Sequence, residues 1–251
     1  MHGKVPPWSD RYNLTTMQII SRFPYVWAAA AIAVAAAIGC AAPQTDERPA
    51  AATPTAVLPT PVPTTTIAVL GDSLSAGYGL PQNEAFPALA EGLLRDRGHD
   101  VRVLNAGVSG DTTAGGLNRL DWILQQAPEI LVVELGGNDA LRGQPLDNIE
   151  ANLRQIVRRA RQQGARVLLL GMDVPINYGP EYSRDFAAIY ERVARDESAK
   201  LIPGFVREVG LDPGLLQPDG LHPTAEGQRR LATSLVPALE QMLEDRNKKT
   251  G

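Results

Sequence analysis

The sequence predicts an α/β fold of three layers, with helices on both faces of a central parallel sheet of about five strands. Three observations in the 251-residue chain predict it. From Thr66 onward, short β-branched apolar runs alternate with stretches whose apolar residues recur at helical spacing. Several of these runs are apolar without a break, as strands covered on both faces are. Strands separated by helices pair in parallel through right-handed crossovers, and no internal repeat suggests another arrangement.

The elements follow in order. "TTIAVLG" is strand-like and leads to the helical "EAFPALAEGLLRDRG", which Gly98 stops. "VRVLNAG" is the next strand, and "TTAGGLNRLDWILQQ" the next helix, with Pro128 just beyond it. "EILVVELGG" reads as a central strand. "LDNIEANLRQIVRRARQQG" is an amphipathic helix, "ARVLLLGMD" a buried strand and "SRDFAAIYERVARDES" a further helix. "AKLIPGF" makes a short last strand, and "HPTAEGQRRLATSLVPALEQMLEDR" closes the fold as a helix with Pro223 near its first turn.

Ahead of this pattern the chain reads as an address. "WAAAAIAVAAAIG", Trp27 to Gly39, is apolar but too short to span a bilayer, which takes about 20 residues. With Arg22 upstream, it fits a cleavable secretory signal, for which Met17 offers an alternative start. The only cysteine, Cys40, follows "AIG" and resembles the lipidation site of a bacterial lipoprotein, with Ala37 in place of the usual Leu. An ordinary signal peptide cut at a nearby alanine is the other reading. Residues 41–65, rich in Ala, Pro and Thr, have no amphipathic period and read as an extended linker. The domain then occupies residues 66–246, and 247–251 read as a disordered tail. The expected location is outside the cytoplasm, held to a membrane by a lipid on Cys40 or else soluble.

Composition narrows the chemistry. The formal charge of −4 leaves no electrostatic footprint for nucleic acid. A single cysteine excludes an intrachain disulfide and any metal site built from several thiolates. Of the three histidines, His2 sits in the leader and His99 in a charged turn, which leaves His222 for chemistry.

Ligands of such sheets bind outside the carboxyl ends of the strands. There the chain places "GDS", "NAGVSGDT", "GGND", "MDVPINYGPEY" and "PDGLHP". Turn chemistry accounts for glycine and aspartate at strand ends, but not for Asn138 or for the one late histidine. Acyl transfer needs a nucleophile, a base, a group that orients the base, and donors for the oxyanion. Ser73 supplies the first and His222 the second. Asp219, three residues before His222, is placed to reach its Nδ1. The N–H groups of Ser73 and Gly110 and the amide of Asn138 are the candidate oxyanion donors. The GxSxG elbow of α/β-hydrolases is absent.

"GDSLSAGY", "NAGVSGDT", "ELGGND" and "DGLHP", in this order, resemble the four blocks of the SGNH, or GDSL, hydrolase family. "VELGGNDALRG" and "PINYG" resemble its bacterial branch of acyl-CoA thioesterases, arylesterases and lysophospholipases. The resemblance spans about Ile67 to Leu243. It implies a flavodoxin-like sheet, neither metal nor organic cofactor, and a small ester or thioester substrate, lipids included. It also implies Ser73, Asp219 and His222 as the triad, with Gly110 and Asn138 completing the oxyanion hole. Rival readings are a carbohydrate O-deacetylase with the same residues and an inactive, tethered glycan- or lipid-binding module.

Other residues take structural readings. Asp72 and Asp212 read as cap and turn formers, Asp111 and Asp139 as loop anchors, and Ser75 as part of the helix that follows the turn. Trp122, with Leu120, Ile123 and Leu124, is expected in a helix core. Arg158, Arg159 and Arg161 form a solvated basic face. Pro175, Asn177, Tyr178 and Gly179 continue no period after their strand, so they are expected to border the substrate.

Overall fold

The computed structural model describes residues 65–174 and 179–250, with side chains to 245. Cys40, Pro175, Asn177 and Tyr178 lie outside the described residues. Five strands form one sheet: β1 (Thr65–Gly71), β2 (Val101–Gly107), β3 (Ile130–Glu134), β4 (Arg166–Leu170) and β5 (Lys200–Ile202). All pairs are parallel and the order is β2-β1-β3-β4-β5, as expected of a three-layer α/β/α fold.

The helices are α1 (Ser73–Ala76), α2 (Phe86–Asp96), α3 (Thr113–Leu124), α4 (Gly137–Leu141), α5 (Leu146–Gln162), α6 (Pro180–Asp196), α7 (Arg207–Gly210) and α8 (Ala225–Thr250). Alternate residues of each strand point to opposite faces of a sheet, and both faces here are apolar. Ala68, Leu70, Leu131 and Val133 pack beneath α3, α5 and α6, against Leu120, Leu153 and Phe186 among others. Ile67, Val69, Ile130 and Val132 pack on the other side against α2 and α8, where Phe86, Leu94, Leu235 and Leu239 are buried. Double coverage is why β1, β3 and β4 read as nearly unbroken apolar runs.

Several local expectations shift. Trp122 is 55 % exposed and not part of the core. The buried face of α3 runs through Thr113, Gly116, Leu120 and Ile123, and Trp122 lies about 200° round the helix from Leu120. α6 begins at Pro180 rather than Ser183, because proline is well suited to a first helical turn. Pro223 falls outside α8: it bridges to Leu216, and Thr224 Oγ1 accepts the Gly227 N–H at the helix start. At the other end α8 continues through residues 247–250, where no glycine or proline intervenes before Gly251. The basic run of α5 is exposed but partnered: Arg158 bonds Glu197, Arg159 pairs with Asp121, and Arg161 donates to the Ser198 carbonyl.

Strand order reverses between β1 and β3, because the chain steps from β1 to one side for β2 and returns to the other side for β3. The loops leaving these two strands diverge there and open a crevice. Ser73 follows β1, and Asn138 follows β3.

Candidate active site

The turn after β1 is built for close approach. A Cβ on Gly71 would land on Ser75 Oγ and 2.7 Å from Glu134 Oε2, so only glycine lets these groups meet. Asp72 caps α1, its Oδ1 accepting the Leu74 N–H at 3.0 Å. Ser73 opens the helix and is half-buried, whereas Ser75 is fully buried and donates to Glu134 Oε2 at 2.6 Å. Ser75 therefore has the structural place expected of it.

His222 Nε2 stands 2.9 Å from Ser73 Oγ, and its Nδ1 lies 2.7 Å from Asp219 Oδ2. The second Asp219 oxygen accepts the backbone N–H groups of Leu221 and His222, which folds the "DGLH" turn back on itself. These backbone and ring hydrogen bonds hold the Asp219 carboxyl down at about 2, so it is ionised at neutral pH. One further contact holds the imidazole and another holds its loop. The Tyr78 ring lies 4.3 Å from it, tilted by 30°. The Gln217 amide donates to the carbonyls of Tyr78 and Pro223, tying the histidine loop to the turn after α1. Neither Tyr78 nor Gln217 stands out in the sequence, since an aromatic in "AGYG" and a glutamine before a turn carry no periodic signal.

Asn138 sits in the first turn of α4 and faces the same cavity as Ser73. Its Nδ2 donates to Asp72 Oδ2 at 2.9 Å. Gly110 lies in the turn after β2 with φ +79°, a conformation that favours glycine. That turn is fastened to β1 by the Val108 N–H donating to the Gly71 carbonyl. Arg119 braces it further, donating to the Gly71 and Ala106 carbonyls and pairing with Asp111 at 2.7 Å. Asp139 accepts from the Thr113 N–H and hydroxyl, joining α4 to α3. Asp212 caps a single turn by accepting the Gly214 N–H. Asp111 and Asp139 are thus loop anchors and Asp212 a turn former, as expected. Gly179, the one described member of the loop expected to border the substrate, caps α6 from the position before Pro180, at φ +96°.

Glu134 is the residue that the apolar pattern hid. It ends β3 fully buried, with Oε2 accepting from the Asp72 and Ser75 N–H groups and from the Ser75 hydroxyl. Burial, and the Asp72 charge beside it, push its carboxyl well up. Burial likewise pushes Asp72 up to about 6.

Beside Ser73 opens a cavity of about 240 Å³ whose apolar wall includes Leu74, Leu141, Met172, Val209, Leu216 and Leu221. A hydroxyl relayed to a carboxylate through a histidine, next to an apolar hollow, is equipped for acyl transfer.

Residues 69–230 match the GDSL-like Lipase/Acylhydrolase family. Over 179 residues the chain is 45 % identical to the Esterase TesA of Pseudomonas aeruginosa, covering 71 % of this chain and 89 % of that one. It is 40 % identical to the Thioesterase 1/protease 1/lysophospholipase L1 of Escherichia coli K12, over 71 % of this chain and 85 % of that protein. Among solved structures, a crystal structure of TesA superposes with a TM-score of 0.69 at 44 % identity, over 70 % of this chain and 99 % of that one.

Proposed function

We propose, from the premise that the chain belongs to the GDSL-like Lipase/Acylhydrolase family and hydrolyses carboxylic ester or thioester bonds, that it does so through an acyl-enzyme on Ser73. The observation that carries this reading is the unbroken relay Ser73 Oγ, His222, Asp219, with links of 2.9 and 2.7 Å.

In this mechanism Ser73 gives its proton to His222 Nε2 as Oγ bonds the acyl carbon. The carbonyl oxygen becomes an oxyanion held by the N–H groups of Ser73 and Gly110 and by the Asn138 amide. Collapse breaks the bond to the alcohol or thiol, which leaves with the proton from His222. Water then gives a proton to His222 and attacks the acyl carbon; release of the acid returns the proton to Ser73. Asp219, ionised throughout, accepts the Nδ1–H and keeps the Nε2 lone pair toward the serine.

The largely apolar cavity supports an acyl chain longer than acetyl, and favours esterase or thioesterase work over sugar deacetylation. Rates on p-nitrophenyl esters from acetate to laurate, an acyl-CoA and an acetylated xylo-oligosaccharide test this. The expected optimum lies at medium chain length. Preference for the acetylated sugar would move the reading to the O-deacetylase.

The sequence of residues 1–40 supports export, with lipid attached at Cys40, the Ala/Pro/Thr-rich stretch that follows as a tether, and the catalytic domain running from β1 at Thr65 to α8. Among the described residues no helix is long and apolar enough to cross a membrane. Incorporation of labelled palmitate that Cys40→Ser abolishes is the expected result; a soluble, unlabelled mature protein would remove the anchor.

A further inference from the structure

Asp72 uses more than a helix cap requires. One side-chain oxygen suffices to cap α1, and serine, threonine or asparagine would supply it. Here Oδ1 takes the Leu74 N–H, while Oδ2 takes an N–H of Asn138. Asp72 is only 3 % exposed, so an acid at this position is costly where a neutral cap would serve. Its second oxygen needs a reason.

The partner supplies one. The carbonyl and NH₂ ends of an asparagine side chain have nearly the same shape, so neighbouring hydrogen bonds decide which way the group faces. An ionised carboxylate only accepts, so it holds the Nδ2 end of Asn138 and opposes the Oδ1 end. One N–H is spent on Asp72, and the other remains on the same nitrogen, in a residue that shares the cavity with Ser73. A flipped amide would set two acceptors against each other at Asp72. It would also offer a carbonyl where the negative charge develops.

We infer that Asp72 is a positioning residue for Asn138: its acceptor-only carboxylate fixes the amide so that an N–H, and not a carbonyl, meets the oxyanion. This rests on the reading of Asn138 as an oxyanion donor. Glu134 supports the arrangement from behind, because its Oε2 accepts the Asp72 N–H at 3.3 Å and so fixes the backbone that carries the carboxylate.

The test uses Asp72→Asn, Asn138→Ala and the double variant, assayed on a p-nitrophenyl ester at about pH 8, where the Asp72 carboxyl is ionised. Asp72→Asn keeps the cap through Oδ1 but turns a donor toward Asn138, which favours the flipped amide. It should lower kcat by about 10²-fold or more with KM little changed. In the Asn138→Ala background the same change should cost only about threefold or less, because there is no amide left to misdirect.

If Asn138→Ala alone leaves kcat near the wild-type value, the oxyanion reading of Asn138 is wrong. If it lowers kcat but Asp72→Asn has no effect, or costs the same factor in both backgrounds, the positioning role of Asp72 is overturned while the oxyanion reading stands. Should Asp72→Asn not fold, Asp72→Ser keeps a cap without facing Asn138, and the same comparison in two backgrounds applies. Its loss of kcat should likewise vanish in the Asn138→Ala background, and equal losses in both would count against the inference.

Discussion

Asp72 and Asp219 carry the same carboxyl group and both are linked to Ser73, one as its neighbour in the chain and the other by hydrogen bonds through His222. Their surroundings differ. Asp72 is sealed between Leu74, Asn138 and Glu134, and burial pushes it up to about 6. Asp219 is exposed, collects two backbone N–H groups and a ring nitrogen on its two oxygens, and is held down at about 2. Charge and direction are separate demands on a carboxylate. The carboxylate that must stay charged beside an imidazolium remains near water with many donors. The one inferred to point the Asn138 amide is buried, where few partners compete for it.

Removing the charge on the exposed carboxylate should cost the most. Asp219→Asn keeps the shape of the turn but offers His222 Nδ1 an amide, and the imidazole then takes the wrong tautomer. On the proposed mechanism kcat falls by about 10⁴-fold with KM nearly unchanged, as steady-state kinetics would show. A loss of tenfold or less would mean that the histidine is oriented by other contacts, of which the Tyr78 ring is the first to examine.

On the buried side the expected effects are on stability. Gly71→Ala would drive a methyl into Ser75 and Glu134 at the base of the turn. Overpacking of this kind costs about 1–3 kcal/mol, to be read from denaturant unfolding.

A subtler effect concerns pH. Asp72, raised from 3.8 to about 6, binds its proton more tightly folded than unfolded, and Glu134 is shifted the same way. The stability that Asp72 contributes is therefore fully present below about 3.8 and lost as pH rises through about 6. Asp72→Asn has no such proton to lose. Its melting temperature relative to the wild type should move in favour of the variant as pH rises from about 5 to 8. A constant difference would show that the Asp72 and Glu134 pair binds its protons alike in both states. Glu134 remains in both proteins, and the Asp72 charge that raises it is absent from the variant, so the comparison reports the pair rather than either carboxyl alone.

How much of this was legible in sequence follows from the same contrast. The sheet could be read because strands covered on both faces must be apolar at every position, and the run from Ile130 to Val133 records that need. Asp219 and His222 could be read as a pair because three residues separate them, whereas Ser73, 149 residues from His222, could be read only through its "GDS" block among the four ordered blocks. Glu134 could not: the acid at the end of an apolar strand looks like a solvent-facing terminus, and only the turn after β1, more than fifty residues earlier, supplies its three donors. The second oxygen of Asp72 was hidden likewise, since a cap is a local signal and its bond to Asn138 spans 66 residues. Trp122 failed in the opposite direction. An aromatic among leucines looks like core, yet the phase of α3 is set by Leu120 and Ile123, which turn it outward.

The central claim is that Ser73 is the residue that carries the acyl group. Treating the protein with a fluorophosphonate probe, while following p-nitrophenyl ester turnover and mapping the adduct by mass spectrometry, tests it most directly. The predicted result is a single adduct on Ser73 whose extent matches the activity lost, with none in Ser73→Ala. Turnover that persists after full labelling of Ser73, or an inactivating adduct on another residue, would contradict it.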